Sequence, residues 1–462
     1  VSAHREEHLR TGPNAARPGA DVRRELADAG PTAWIAFDQE VRSRLRYGRD
    51  DSAGPREGLH ATLLCHPDGR IREAALDRAE RWPELVAIRC ADWAPAVRDR
   101  ARQVLGALLR THPERAARTL TPLVLRLSAR EQGGWALARL EEVLRDDEPV
   151  LAALRADTDL PTRRYAARLT LESGRFDARA LARLAATDPD PVTARLWADA
   201  ATRLMATDGP DDEAVDLLLG ARSPMVRATG VTALRGAGRT EEAVRHLADR
   251  SGLVRACARW LVGQGGGDPF PHYRELVTDP GRVTAYAVAG FAECARRSDG
   301  PRLHALLTHP DGRVRAAAVA GLRLLDDNTD ITALTALLED PWPAVVREAS
   351  LSLLPFSGRL DADRLIARLA ADRPRHLRRA AFRLLRARRG ITELRACVAM
   401  VADDDPRLRA TARATVRGWK WQLSLHTDDT DRPELAELLR RSAGLFDAYE
   451  MGVRRSRLGL TR

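Results

Sequence analysis

His66-Pro-Asp-Gly-Arg-Ile-Arg-Glu-Ala-Ala75 returns almost unchanged as His309-Pro-Asp-Gly-Arg-Val-Arg-Ala-Ala-Ala318. Shorter versions of the same phrase lie between and after them: Asp92-Trp-Ala-Pro-Ala-Val-Arg98, Leu160-Pro-Thr-Arg-Arg164, Ser223-Pro-Met-Val-Arg227, Asp249-Arg-Ser-Gly-Leu-Val-Arg255, Asp372-Arg-Pro-Arg-His-Leu-Arg378 and Asp403-Asp-Asp-Pro-Arg-Leu-Arg409. Weaker copies begin at Asp188, Asp279 and Asp340, and a degenerate one lies near Gln132–Trp135. Anchored on the Arg slot from Arg72 to Arg409, the phrase recurs with a mean step of about 31 residues. A fixed period of that size is the mark of a stacked repeat architecture.

Each unit reads as two short helices. The first is amphipathic, as in Ile331, Leu334, Leu337 and Leu338, with apolar residues three and four apart. The break that follows carries Asp-Pro, His-Pro-Asp-Gly or Ser-Pro, so Asp or Ser caps the next helix and Pro occupies its first turn. The second helix is Ala-rich, as in Arg313-Val-Arg-Ala-Ala-Ala-Val-Ala-Gly-Leu-Arg-Leu-Leu325, and its small side chains let neighbouring helices approach closely. A two-helix unit cannot cover its own apolar face and must stack on its neighbours. The expected fold is all-α, a right-handed α-solenoid of about twelve two-helix repeats.

The signature Asp-Pro-x-x-x-Val-Arg-x-x-Ala at this period resembles the HEAT-like repeats of the bilin-lyase type, over roughly residues 58–420. That resemblance implies a fold and leaves the activity open, because such repeats serve as scaffolds, lyase subunits, hydroxylases and DNA-repair enzymes. Around the array, residues 1–57 read as a polar segment, loosely ordered to residue 30, followed by a capping helix at Ala33–Tyr47 and a polar linker at Arg49–Arg56. Residues 263–271, Gly-Gln-Gly-Gly-Gly-Asp-Pro-Phe-Pro, are the main interruption, expected as an extended loop or bend. Residues 421–462 read as a capping helix with a mobile basic tail from Arg454.

Composition narrows the chemistry. A chain of 462 residues exceeds the roughly 250–300 at which one hydrophobic core stops growing, which again favours an elongated array. Lys420 is the single lysine among 75 basic residues, a bias that reads as high-GC codon usage. One lysine, in Gly-Trp-Lys-Trp, supports no Walker loop, kinase strand lysine or pyridoxal Schiff base. His-Glu-x-x-His and Gly-x-Ser-x-Gly are absent, as is any His-Glu pair of the kind expected in a HEAT-like di-iron hydroxylase. The five cysteines form no Cys-x-x-Cys pair, so neither a zinc site nor a disulfide framework is expected. His66, His112 and His309 each precede Pro and read as break residues. These features point away from an enzyme and toward no cofactor. Residues 1–30 lack a secretory apolar core and no stretch spans a membrane, giving the expectation of a cytoplasmic monomer.

Two sets of cations were separated by their spacing. Arg72, Arg98, Arg164, Arg227, Arg255, Arg315, Arg378 and Arg409 hold a fixed place after the break, and the family resemblance implies a structural ladder in which Arg and Asp of adjacent units pair. Arg375, Arg379, Arg383 and Arg386 follow each other at helical spacing as one exposed stripe in a segment without acids, and Arg413, Arg417, Trp419, Lys420 and Trp421 extend it one repeat later. The other tryptophans read by default as core or inter-repeat packing. The net charge of +10 and this stripe suit an acidic protein or peptide partner held by the concave face, with nucleic acid as the alternative. HEAT-like alkylpurine DNA glycosylases hold a damaged duplex with Trp, Asp and Arg, and Trp197, Asp199 and Arg195 are the residues here that resemble such a set.

Overall fold

The computed structural model describes residues 22–47, 56–145, 147–421 and 431–460, and the side chains among them except those of 56–58. The expected polar segment through residue 21, the core of the expected linker at 48–55, and residues 422–430 and 461–462 lie outside the described residues. Every regular element among those described is helical. Helix follows helix with short breaks, and consecutive elements pack on each other, so the all-α solenoid is what this sequence builds.

Contacts divide the chain into two units, Val1–Leu204 and Met205–Arg462, with the division inside the helix Pro191–Asp208. In the first unit the helix pairs run from Arg56–Leu64 with Gly69–Ala75 through to Ala178–Thr187 with Pro191–Asp208. The second unit begins with Asp212–Leu219 and Pro224–Ala233 and continues to Gly390–Ala399 and Pro406–Gly418. Its second helices are Pro224–Ala233, Gly252–Gln264, Ala285–Ala292, Gly312–Leu324, Pro343–Ser352, Arg375–Ala387 and Pro406–Gly418.

The breaks work as their chemistry requires. Asp68, Asp159, Asp311 and Asp405 each sit at an N-cap and accept a backbone N–H of the first turn, from Arg70, Thr162, Arg313 and Arg407 at 2.8–3.1 Å. Pro95, Pro224, Pro343 and Pro406 occupy first helical positions, where a missing N–H costs nothing. Close approach between repeats depends on small residues: a Cβ at Gly290 would fall 2.2 Å from the Tyr273 ring, whose hydroxyl donates to the Leu247 carbonyl.

At the N-terminal end, Pro31–Arg46 is the expected capping helix, and its Trp34 meets Trp82 edge-on at 6.3 Å. Three expectations are corrected. Val22–Asp28 is helical, because Leu26 reaches the core and gives the segment a buried side. Residues 263–271 are not an extended loop: Gly252–Gln264 and Pro269–Thr278 leave only residues 265–268 between them, since Asp268 caps the next helix through Phe270 N. The expected basic tail is helical over Ala448–Arg457, opened by a capping box between Asp447 and Glu450.

Candidate interaction surface

The repeated Arg slot sits at the fourth position of a second helix, which aims its guanidinium back over the break and on toward the following repeat; in Leu160–Glu172 that place is held by Arg163, 3.6 Å from Asp188, and Arg164 stands at the fifth. Arg72 shows the full arrangement. Its Nε and Nη2 form a fork on Asp92 at 3.0 and 2.8 Å, while Nη1 donates to the His66 and Pro67 carbonyls at 2.8 and 2.9 Å. Arg227 does the same with Asp249 and the Ala221 and Arg222 carbonyls, and Arg315 with Asp340 and the His309 and Pro310 carbonyls. Arg164 forks onto Asp190 at 2.9 Å through both nitrogens. Arg255 takes Glu293 in place of a break Asp, and Arg378 takes Asp403 and Asp404. Arg98 and Arg409 donate to carbonyls of their own breaks, at Asp92 and Asp403, with no carboxylate partner among the described residues.

The receiving Asp works twice. Asp249 also accepts from Ser251 N and Asp340 from Trp342 N, so one carboxylate closes the turn that leads into its own helix and ties in the preceding repeat. The Arg164 fork holds the Asp190 carboxyl below the usual carboxylate range. At Asp249 and Asp340 burial opposes ionisation, but the Arg227 and Arg315 forks and the backbone bonds from Ser251 and Trp342 outweigh it and lower both pKa values.

The structure redistributes the basic stripe. Arg375 is not free: its Nε and Nη2 both meet Asp405 at 2.8 Å, and Arg379 Nε meets the same carboxylate at 2.7 Å. The segment itself has no acid, but the next repeat brings one. Arg386 lies 3.4 Å from Glu393 and over the Phe382 ring. Arg413 and Arg417 donate to the Val401 and Leu445 carbonyls. Trp421 is buried against Phe446 and donates to the Val416 carbonyl, Trp419 packs partly on the same core, and Lys420 is exposed. The nine residues therefore do not form one continuous cationic face.

What remains is centred on Arg383. It is half-buried and donates to the Ser350 hydroxyl, with no ion-pair partner among the described residues. Arg347 and Arg379 flank it: burial first, then the like charge of Arg347, lowers its pKa against the opposite pull of Glu348. Glu348 is already shared, at 2.6 Å from Arg323 and 3.0 Å from Arg347. Arg323, Arg347, Arg375, Arg379 and Arg383 thus meet only Glu348 and Asp405, because Asp403 and Asp404 are engaged by Arg378. In the sequence Arg347 reads only as the repeat arginine of the weaker copy at Asp340, displaced by one residue because Val346 holds the slot, and not as part of a basic patch.

The set that resembled a glycosylase site does not assemble. Trp197 is buried and donates to Asp188, while Arg195 and Asp199 pair with each other on the outside of the helix at 3.5 Å. Trp34 and Trp82 join Trp197 and Trp421 in the interior, while Trp93, Trp260 and Trp342 are exposed, Trp342 packing on Gly312 of the preceding repeat and Trp93 beside Arg72. The described residues include no group of His, Cys, Asp or Glu placed to hold a metal ion. Cys65, Cys90 and Cys397 are buried thiols, and burial pushes Cys90 up to about 12, far from a reactive thiolate. No described helix is long and apolar enough to cross a membrane.

Comparison with known proteins agrees with the repeat reading. Residues 274–354 match the family described as HEAT repeats, in the stretch that holds the second full copy of the repeat phrase at His309–Ala318. Among solved structures, a chain of the one described as "Kap95p Binding Induces the Switch Loops of RanGDP to adopt the GTP-bound Conformation" aligns at TM-score 0.34 and 12% identity. The alignment covers 90% of this chain and 63% of that one. A comparison with curated proteins found no match.

Proposed function

We propose that this chain is a non-enzymatic protein-interaction module, and that the outward surface of its second helices in the unit Met205–Arg462 receives an acidic segment of a partner protein. The observation that carries the reading is the Arg383 cluster, where five guanidiniums share two carboxylates and Arg383 itself has none. A half-buried guanidinium without a carboxylate is costly alone, and an incoming carboxylate supplies both charge and acceptors. Six of the eight ladder arginines, Arg72, Arg164, Arg227, Arg255, Arg315 and Arg378, play the structural part: each pairs with an acid of a following repeat and is engaged there. HEAT repeats over residues 274–354, which include Arg323, Arg347 and Glu348 of this cluster, support a binding role over a catalytic one.

The test is a fluorescence-anisotropy titration with a labelled decaglutamate peptide and, separately, a labelled DNA duplex. The peptide is expected to bind, and Arg347→Glu to weaken it at least tenfold. Equal binding by the parent chain and the variant removes the cluster from the interface. A duplex that binds more tightly than the peptide, with affinity falling by orders of magnitude between about 50 and 200 mM salt, transfers the proposal to nucleic acid.

A further inference from the structure

The second helices of the unit Met205–Arg462 share one register, set by the fourth helical position: Arg227, Arg255, Val288, Arg315, Val346, Arg378 and Arg409. Equivalent positions before and after it can therefore be compared from helix to helix. At the second position stand Met225, Leu253 and Tyr286 in three successive helices, and at the ninth position of Gly252–Gln264 stands Trp260. These four are 36%, 43%, 47% and 46% exposed. Ala256 is exposed and Cys257 half-buried between Leu253 and Trp260, so that helix presents an apolar strip on its outer side. Arg235 lies over the Trp260 ring at 5.9 Å.

Farther along the same row the slots change character. Position five, Ala256 in the one helix, is Arg347 in Pro343–Ser352 and Arg379 in Arg375–Ala387, and position nine, Trp260 in the one, is Arg383 in the other. The surface thus runs from apolar and aromatic at one end to cationic at the other. Exposed apolar side chains gathered at one place mark a contact surface, and tryptophan is the residue that most often dominates such a contact.

We infer that this row binds a single extended peptide segment bearing an aliphatic or aromatic anchor for the Leu253–Trp260–Tyr286 end and at least two carboxylates for the Arg347–Arg383 end. The inference rests on the acidic-partner reading above and adds the second half of the motif and its spacing. The helices Gly252–Gln264, Ala285–Ala292, Gly312–Leu324 and Pro343–Ser352 pack in succession. Packed helices lie about 8–10 Å apart, so three steps put Trp260 and Arg347 about 24–30 Å apart. An extended chain covers roughly 3.3 Å per residue, which puts about seven to nine residues between anchor and acids. Acids alone would be weakened by salt, and an anchor alone would be small; joined on one chain, each raises the local concentration of the other. Single-stranded nucleic acid fits less well, because it needs cations along its whole path. At the apolar end Arg235 stacks on Trp260, and Arg259 is held by Glu293.

The experiment is selection of a display library of random sixteen-residue peptides on the full chain, followed by anisotropy titration of the enriched peptides and of a fifteen-nucleotide oligothymidylate. The expected consensus is an aromatic or aliphatic residue separated by seven to nine positions from a pair of Asp or Glu. Trp260→Ala and Arg347→Glu are each expected to weaken the selected peptide at least tenfold, and both sites are exposed, so folding is retained. Arg383→Glu provides a third variant nearer the cluster centre. A consensus of acids alone, insensitive to Trp260→Ala, overturns this inference and leaves the acidic-partner proposal standing. A consensus without acids overturns both, as does tighter binding of the oligothymidylate than of any selected peptide.

Discussion

Arg72 and Arg164 stand at the fourth and fifth positions of their helices and make the same two-nitrogen fork on an Asp of the next break, yet they sit in opposite surroundings. The Arg72 side chain is fully buried, while that of Arg164 is 41% exposed. The helix Pro31–Arg46 makes part of the difference. Its Arg42 and Asp38 join Arg89 around Asp92, with Arg89 Nη1 at 3.0 Å and Arg42 Nη2 at 3.3 Å from the same Asp92 oxygen. Trp93 also lies beside the Arg72 guanidinium. Arg164 has its fork and little cover. The same fork can thus be built from two neighbouring helix positions, and its surroundings decide what breaking it costs.

The broadest way to erase the contrast is acid. Asp190, Asp249 and Asp340 have folded pKa values below the usual carboxylate range. As the pH falls the unfolded chain takes up these protons first, so their contribution is complete above the unfolded value near 4 and lost on descending through the lower folded values. Asp38 acts in the other direction: burial raises its pKa, so the folded chain takes up that proton above the unfolded value and is relieved by it. Burial also lowers the pKa values of His60 and His246, so the unfolded chain takes up those protons first below about pH 7. With these and three ladder carboxylates against one, the denaturant midpoint is expected to decline gently from about pH 7 to 5 and fall steeply toward pH 2. An unchanged midpoint at pH 2 would show that the ladder adds no net stability.

Among single substitutions Arg72→Ala is expected to cost most. It leaves Asp92 buried and the His66 and Pro67 carbonyls without their donor, and breaking a buried pair from one side costs about 3–5 kcal/mol. Arg227→Ala comes next, at about 1–3 kcal/mol, because Asp249 is less deeply held and water can reach part of its site. Both follow from helical circular dichroism in urea, with the slope of each transition checked against the parent, since long arrays can unfold in parts. Equal losses at the two sites would break the argument from cover.

The repeat, its helix pairs and the ladder slot were legible because each depends on residues close together in the chain. The partners were less so. Arg255 was expected to use the next break, but Asp279 turns its carboxylate to Gly281 N, and Glu293 receives the guanidinium instead. Arg98 faces a break where Gln132 stands, and that amide is taken by Arg102. The stripe at Arg375 and Arg379 looked free because the acid that pairs them, Asp405, lies a full repeat away. The apolar end of the surface did leave a sign: Gly252–Gln264 carries Leu253, Val254, Ala256, Cys257, Ala258, Trp260, Leu261 and Val262, apolar on every side, and one helix packed from one side cannot bury them all.

Arg164→Ala sharpens the comparison from its weak end. Its fork onto Asp190 has good geometry, but an exposed guanidinium already interacts well with water, and exposed ion pairs add little to stability. Asp190 also keeps its other bonds when the arginine is gone, since Thr193 donates to it through both N–H and hydroxyl at 3.1 and 2.7 Å. The expected urea midpoint lies within the scatter of replicate measurements on the parent chain. Asp190→Ala should do more than Arg164→Ala, because it removes a helix cap as well as the ion pair. If the two substitutions were equally harmful, the fork would be the stronger of the two bonds at this break, and exposure would not be what separates Arg164 from Arg72.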